Sequence, residues 1–361
     1  MTNSSCPAIS VIIPFNNAEK YIGECLDSLL NQTFKNFEVI VVNNCSTDNS
    51  VEVVKNFAPK FDEFTLAHME YNTGSGAMPR NKGFAFSRGE FVFFMDADDL
   101  VTPTALEEMY TLAKDFDADV VYCEDNYRVQ ADGSGLHRDI GEKNITIDKP
   151  TFETNDMAER VKGILIGKYL APQWRKFTRR KIIVEHELFF PDTRPSEDDI
   201  WTYGLLIHAQ KFLRVPNLTY CRRLSEDSIM RKKKTPQQTI TFWTNPVLLG
   251  LKTLDKFMSR HEFFQQNPQY RYAVLKKFVN SKFGAFFSES FKLPPFAVYE
   301  TIKQEFGDKL GEWDVVISAL CTALNTQQKI SAVNQQKFNQ FAAQAKARIA
   351  QLEAEVKRLQ T

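Results

Sequence analysis

Three carboxylates crowd the end of one apolar run. The segment Phe91–Leu100 reads FVFFMDADDL, with Asp96, Asp98 and Asp99 directly after the hydrophobic residues. Like charges this close repel and raise each other's pKa unless a cation intervenes. A hard divalent ion resolves the conflict. Mg²⁺ or Mn²⁺ held by one or two carboxylates, with a diphosphate supplying further oxygens, is the usual arrangement. Such an ion would neutralise charge on a departing diphosphate as a Lewis acid. The competing reading is a turn or helix cap that uses aspartates for local hydrogen bonds. A second acidic run, Ser196–Asp199 (SEDD), reads by itself as a helix start, with Ser196 capping and acids in the first turn before Ile200 and Trp201.

The segment Asn72–Gly83 (NTGSGAMPRNKG) offers glycines that allow close backbone approach and Arg80, which can pair with phosphate. A dinucleotide reading of its GxGxxP fails. The third glycine is missing and the loop follows the wrong strand.

The elements that must position these residues alternate. Ile9–Pro14, Phe37–Asn43 and Phe91–Asp96 are short, nearly continuous apolar runs, as expected for strands buried on both faces. Phe64–Tyr71 reads as a weaker strand, and Val120–Tyr127 closes the series. Between them, Ala18–Leu30 has helical spacing. Ser46, Thr47 and Asp48 are N-cap candidates for a helix through Val54 and Phe57. Met78–Ser87 reads as a helix, and Pro103 suits the first turn of one running to Phe116. This pattern predicts an α/β fold with a parallel, doubly wound sheet, which binds ligands beyond the carboxyl ends of its strands. Asn43, Asn44 and the Asp96–Asp99 cluster occupy such ends.

The 361 residues predict a catalytic domain over 1–230, a helical domain over 231–325 and a terminal amphipathic helix over 326–361. In the last, Phe338, Ala342, Ala345, Ile349, Leu352, Val356 and Leu359 form a heptad seam of about three repeats, a candidate for self-association. A formal net charge of +0 gives no global field for nucleic acid. Six scattered cysteines lack metal-ligand spacing and read as reduced thiols. With no signal-peptide pattern and no long apolar run, a cytoplasmic site is expected. Arg231–Lys234 (RKKK) and the Lys/Phe-rich Arg271–Phe291 could meet an anionic membrane surface, which would suit a lipid-linked acceptor, or form a solvated basic face.

In this order and spacing, the motifs ISVIIPFNNAEKYI, CLDSLLNQTFKNFEVIVVNNCSTDNS, NTGSGAMPRNKG, GEFVFFMDADD, WRKF and SEDD resemble the family 2 glycosyltransferases of GT-A fold. The resemblance runs from about Ile9 to Ile229. It implies transfer of a sugar, with inversion, from a nucleoside diphosphate sugar to a hydroxyl of a glycan or lipid-linked glycan in bacterial surface-polysaccharide or lipooligosaccharide synthesis. It also implies roles. Pro14, Phe15 and Asn16 would lie against the base and ribose. Asp96, with Ala97 beside it, would bind the ribose or help hold the metal, and Asp98 would be the main metal ligand. Arg80 and Asn81 would lie near the donor. Glu197–Asp198 look like the family's ED motif, which makes Asp198 the expected catalytic base, with Glu197 and Asp199 as alternatives. Arg222 or Arg223 would touch diphosphate.

One departure stands out. The family commonly has two aspartates where this chain has Asn43 and Asn44. An amide can still accept from the uracil N–H and donate to its carbonyl, so uridine remains the expected base. Cys45 replaces the usual glycine, which suggests a turn without a left-handed residue. On the acceptor side, Trp174 reads as a sugar-stacking face or as a core residue, Trp201 as core, and His186 and His208 as non-catalytic. Two other functions compete. A sugar nucleotidyltransferase would want a basic Gly-rich loop after the first strand, which Phe15–Ala18 lacks. A coiled-coil scaffold would not need the acidic clusters.

Overall fold

The computed structural model describes residues 6–139, 147–224, 233–290, 293–310 and 329–347. The chain divides into two compact units. One comprises Met1–Lys233 and Asn245–Lys282, the other Lys234–Thr244 and Phe283–Thr361.

The first unit is built on an eight-stranded sheet. Its strands are β1 (Ile9–Phe15), β2 (Phe37–Asn43), β3 (Phe64–His68), β4 (Phe91–Phe94), β6 (Val120–Cys123), β9 (Thr151–Phe152), β10 (Lys176–Arg179) and β11 (Phe212–Val215), in the spatial order β3-β2-β1-β4-β10-β6-β11-β9. A smaller sheet contains β5 (Leu100–Val101), β7 (Tyr127–Val129), β8 (His137–Arg138) and β12 (Tyr220–Arg223), in the order β5-β12-β7-β8. The helices of this unit are α1 (Ile22–Leu30), α2 (Ser50–Phe57), α3 (Ala77–Phe86), α4 (Ala105–Asp115), α5 (Met157–Ile166), α6 (Arg180–Glu185) and α7 (Glu197–His208). After α8 (Pro236–Asn245), which leads back into it from the second unit, come α9 (Leu251–Ser259), α10 (Glu262–Gln266) and the first part of α11 (Pro268–Ser290).

The strand sequences explain the layering. In β1, Ile9, Val11, Ile13 and Phe15 pack with Ile22, Cys25, Leu26 and Leu29 of α1, while Ile12 packs with Ile40, Val42 and Phe84. Successive side chains point to opposite faces and both faces are covered, so the strand is apolar throughout. Gly83 permits the close approach of α3: a methyl group there would overlap the Ile12 side chain.

The sheet departs from the purely parallel expectation. β10 runs antiparallel between β4 and β6, and β9 is antiparallel to β11. The expected strand Val120–Tyr127 divides, because β6 belongs to the large sheet and β7 to the small one. Helix α2 begins at Ser50, later than the Ser46–Asp48 cap candidates. Its N-cap Asn49 makes no side-chain cap bond, and Asp48 instead accepts from the Ser50 N–H at 3.1 Å.

In the second unit, α12 (Pro295–Leu310) carries the buried Val298 and Ile302. Residues 329–347 form a helix that is exposed along its length. Phe338, Ala342 and Ala345 of the heptad seam lie on it; Ile349, Leu352, Val356 and Leu359 lie outside the described residues. Among the described residues, no helix is long and apolar enough to cross a membrane.

Candidate active site

The carboxyl ends of β1, β2 and β4 carry the first half of the site. Asp96 Oδ1 accepts from Arg80 Nη2 and from Gln173 Nε2, each at 2.8 Å, and among the described residues nothing bonds its other oxygen. Among the described residues Asp98 has no side-chain partner, and burial and the nearby Asp96 charge push its carboxyl up to about 6. Asp99 is different. Its Oδ1 accepts from the Arg223 N–H at 2.7 Å and its Oδ2 from the Tyr220 hydroxyl at 2.7 Å. That hydroxyl in turn accepts from the Asp96 N–H at 3.1 Å. Asp99 therefore ties β12 to the acidic turn, and Asp96 and Asp98 keep open oxygens. Ala97 between them is buried.

The second half is the first turn of α7. Ser196 occupies the N-cap position with φ 76° and no side-chain cap bond, so the expected serine cap is absent. Bending the chain through this left-handed residue opens the helix on three successive acids. Glu197 Oε1 accepts from Arg80 Nη1 at 3.0 Å, and Asp199 Oδ2 accepts from Lys282 Nζ at 2.6 Å. Among the described residues Asp198 receives only the Asp199 backbone N–H, at 3.0 Å. Burial first, then the Asp199 and Glu197 charges, push the Asp198 carboxyl up to about 7, against the opposing pull of Arg80 and Lys176. Arg80 thus bridges the two acidic groups, one Nη on each.

The remaining predicted residues are placed as follows. Pro14 is half-buried, and Phe15 sends its side chain into the core. Asn16 Nδ2 donates to the carbonyls of Asn44 and Cys45, at 2.7 and 3.2 Å. Asn43 accepts from the Ser46 N–H at 2.8 Å and its amide meets His68 Nδ1 at 3.2 Å. Asn44 Oδ1 accepts from the Thr73 N–H at 3.0 Å, and its Nδ2 donates to Asn72 and Ser75. Asn44 therefore ties the β2 loop to the Asn72–Ser75 loop, whereas Asn43 bonds its own loop and the end of β3. Cys45 has φ 57°, so the left-handed turn survives the loss of glycine, contrary to expectation. Asn81 spends its amide on the Phe190 backbone, donating at 2.8 Å and accepting at 3.0 Å. Arg223 and, less strongly, the half-buried Arg222 pull the Asp98 carboxyl down, and Arg223 also braces the turn, donating its Nε–H to the Asp98 carbonyl and Nη2 to Glu24.

Trp174 is buried and stacks on Tyr220 at 4.4 Å between centroids, which makes it a wall of the core. Trp201 is core, fully buried. His186 and His208 stack on each other at 4.4 Å, beside His261.

Three residues escaped sequence reasoning. Gln173 reaches Asp96, Lys176 is fully buried with its Nζ on the carbonyls of Leu170, Ala171 and Pro172, and Lys282 reaches Asp199. The WRKF motif signalled Lys176 by position. A polar Gln and a lysine on a distant helix carry no such signal.

Known proteins resemble this chain in sequence and fold. Residues 10–170 match the family described as Glycosyl transferase family 2. Over these residues the chain is similar to the family 2 glycosyltransferases. Its relative EpsH of Bacillus subtilis (strain 168) is 33% identical over 231 residues, 63% of each chain. The chain thus spans less than two thirds of that relative. YibD of Escherichia coli (strain K12), an uncharacterized glycosyltransferase, is 28% identical over 274 residues, covering 73% of this chain and 77% of YibD. The crystal structure of Staphylococcus aureus TarS 1–349 in complex with UDP superposes with a TM-score of 0.56 at 21% identity, covering 81% of this chain and 82% of that one. That likeness supports the GT-A fold of the domain.

Proposed function

We propose that the chain is an inverting glycosyltransferase, with Asp198 as the base that takes the proton of an acceptor hydroxyl. The observation that carries this is the sorting of the acids: Glu197 and Asp199 are each held by a cation, and Asp198 is left with open acceptor capacity and a carboxyl at about 7. A base poised near the operating pH is the efficient choice. Attack on an anomeric carbon passes through an oxocarbenium-like state, so a base on one face and a stabilised leaving group on the other suffice for single displacement.

The donor is a nucleoside diphosphate sugar, with UDP the favoured nucleotide. The UDP complex of TarS supports this choice, as does an Asn43–Asn44 corner rich in amide donors and acceptors. Since those amides are engaged, the base would be read by backbone groups around Pro14–Asn16 and by whichever amide bonds the ligand displaces. Arg80 orients Asp96, Asn81 fixes the Phe190 segment, and Arg222 lies near enough to Asp98 to face diphosphate oxygens.

Mg²⁺ or Mn²⁺ fits the site. Among the described residues no side chain bonds Asp98 and one Asp96 oxygen is open, in a pair whose mutual repulsion a cation relieves, while Asp99 is already consumed. When bound, the ion would supply positive charge to the departing diphosphate. Among the described residues no group of three or more His, Cys, Asp or Glu gathers as a metal cage.

The acceptor is a hydroxyl of a glycan or lipid-linked glycan in surface-polysaccharide synthesis, in keeping with the family. Basic membrane contact has narrower support: Arg271 pairs with Asp255 and Lys282 with Asp199, so those charges are used internally, and Arg231 and Lys232 lie outside the described residues. Self-association through helix 329–347 is supported by Ile330, Val333, Phe338 and Phe341, which are 50–70% exposed.

The decisive assay is release of nucleoside diphosphate from a panel of nucleotide sugars with Mn²⁺ and glycan acceptors. Asp198→Asn should lower transfer by about 10²–10⁴-fold, the usual worth of a general base. Release of pyrophosphate instead would favour a nucleotidyltransferase.

A further inference from the structure

The base candidate sits in a turn that would ordinarily be a poor place for one. Three consecutive carboxylates at a helix start interact through charge, and the largest charge acting on Asp198 is that of Asp199. After burial, Asp199 therefore weighs most on the state of Asp198.

Each cation around this turn has a definite assignment. Arg80 of α3 places its two Nη atoms on Glu197 and Asp96. Lys176 of β10 donates to three carbonyls at 2.8, 2.7 and 2.9 Å, which uses every N–H of an ammonium group. Lys176 acts on Asp198 only at a distance. Tyr203, one turn along α7, is an acid whose hydroxyl is pushed up by burial and by Asp199 and Asp198. The cation in direct contact with Asp199 is Lys282 of α11, at 2.6 Å. It is buried, 7% exposed, and its Nζ lies 5.3 Å from the centre of the Phe278 ring one turn earlier. Burial and the ring hold the lysine in place, and the Asp199 carboxylate satisfies its charge. Lys282 lies far beyond the region that matches the family, residues 10–170.

We propose that Lys282 is a positioning residue for the transfer reaction. By holding Asp199 in a buried ion pair, it partly offsets the charge beside Asp198 and leaves Asp198 as the carboxylate of this turn presented to the acceptor. The inference rests on the reading of Asp198 as the base.

The test is the pH dependence of kcat/KM in the full chain, for wild type, Lys282→Met, Lys282→Arg, Asp199→Asn and the double variant. Transfer requires ionised Asp198, so the rate falls as pH drops through its pKa. Loss of Lys282 leaves Asp199 uncompensated, and the acid limb should move up by about half to one pH unit, at the low end of what a nearby charge does. Lys282→Arg should restore the limb. Asp199→Asn removes the repulsion and should move the limb down, and adding Lys282→Met to it should cause no upward shift past the wild-type position. A Lys282→Met enzyme whose limb stays at the wild-type pH, whether active or weakened, overturns the proposal and makes Lys282 a packing residue. If that variant does not fold, Asp199→Asn alone decides: an unmoved limb overturns the proposal. Failure of the underlying reading looks different, since Asp198→Asn would then keep transfer activity.

Discussion

At the scale of single residues, the site carries charge that the fold does not favour. Between pH 3.8 and about 7, folded Asp198 binds a proton that the unfolded chain has released. Its contribution is therefore destabilising, grows as pH rises through that window and is complete above it. Asp198→Asn should lower transfer and at the same time raise the melting temperature at pH 8, which differential scanning calorimetry would register as an increase of about 2–4 °C per kcal/mol for a unit of this size. His208 has the opposite sign. Burial and the His186 charge push it down to about 4, and its ring meets the Phe257 carbonyl at 3.1 Å. Between pH 4 and 6.5 the unfolded chain carries a proton that folded His208 lacks, so stability falls as pH is lowered through this range. Urea midpoints measured at pH 7 and pH 5 should differ less in His208→Asn than in wild type.

At the scale of elements, two contacts hold the site's halves to the sheet. Helix α3 lies against β1 and β2 because residue 83 has no side chain, and Arg80 is one turn before it. Gly83→Ala should overpack Ile12, cost about 1–3 kcal/mol of stability and displace Arg80 from Asp96 and Glu197. Denaturant unfolding read alongside kcat should show both losses together. The Tyr220 hydroxyl bonds Asp99 and the Asp96 backbone. Tyr220→Phe would leave the buried Asp99 short of one donor, at a cost of about 1–3 kcal/mol. Metal titration of that variant should show weaker Mn²⁺ binding, because the acidic turn loses its brace. Equal affinity would mean that β5 and β12 hold the turn without it.

At the scale of the whole molecule, much of the design was legible in order along the chain. The apolar runs at Ile9, Phe37 and Phe91 marked buried strands because each is covered on both faces, and the acids followed them at the carboxyl ends where such sheets bind ligands. Strand β10 was not legible. Its antiparallel insertion depends on pairing with β4 and β6, which local periodicity does not encode. The left-handed residues at Cys45 and Ser196 were missed for a related reason, since surrounding contacts hold side chains in a conformation that propensity assigns to glycine. If helix 329–347 joins copies of the chain, sedimentation of a Phe338→Ser, Phe341→Ser variant should show a smaller species than wild type, with donor turnover retained.

The sequence by itself determined the inventory: which strands are buried, which carboxylates end them, and which family those motifs belong to. These follow from residue types and near-neighbour spacing, which physical chemistry reads locally. Only the tertiary structure decided how the acids are divided. Asp99 went to Tyr220 and Arg223, Glu197 to Arg80 and Asp199 to Lys282, leaving Asp98 and Asp198 open. The partners are 83 to 124 residues away in the chain. Charge pairing acts through space over a few ångströms, so a carboxylate's role is set by what folding brings beside it.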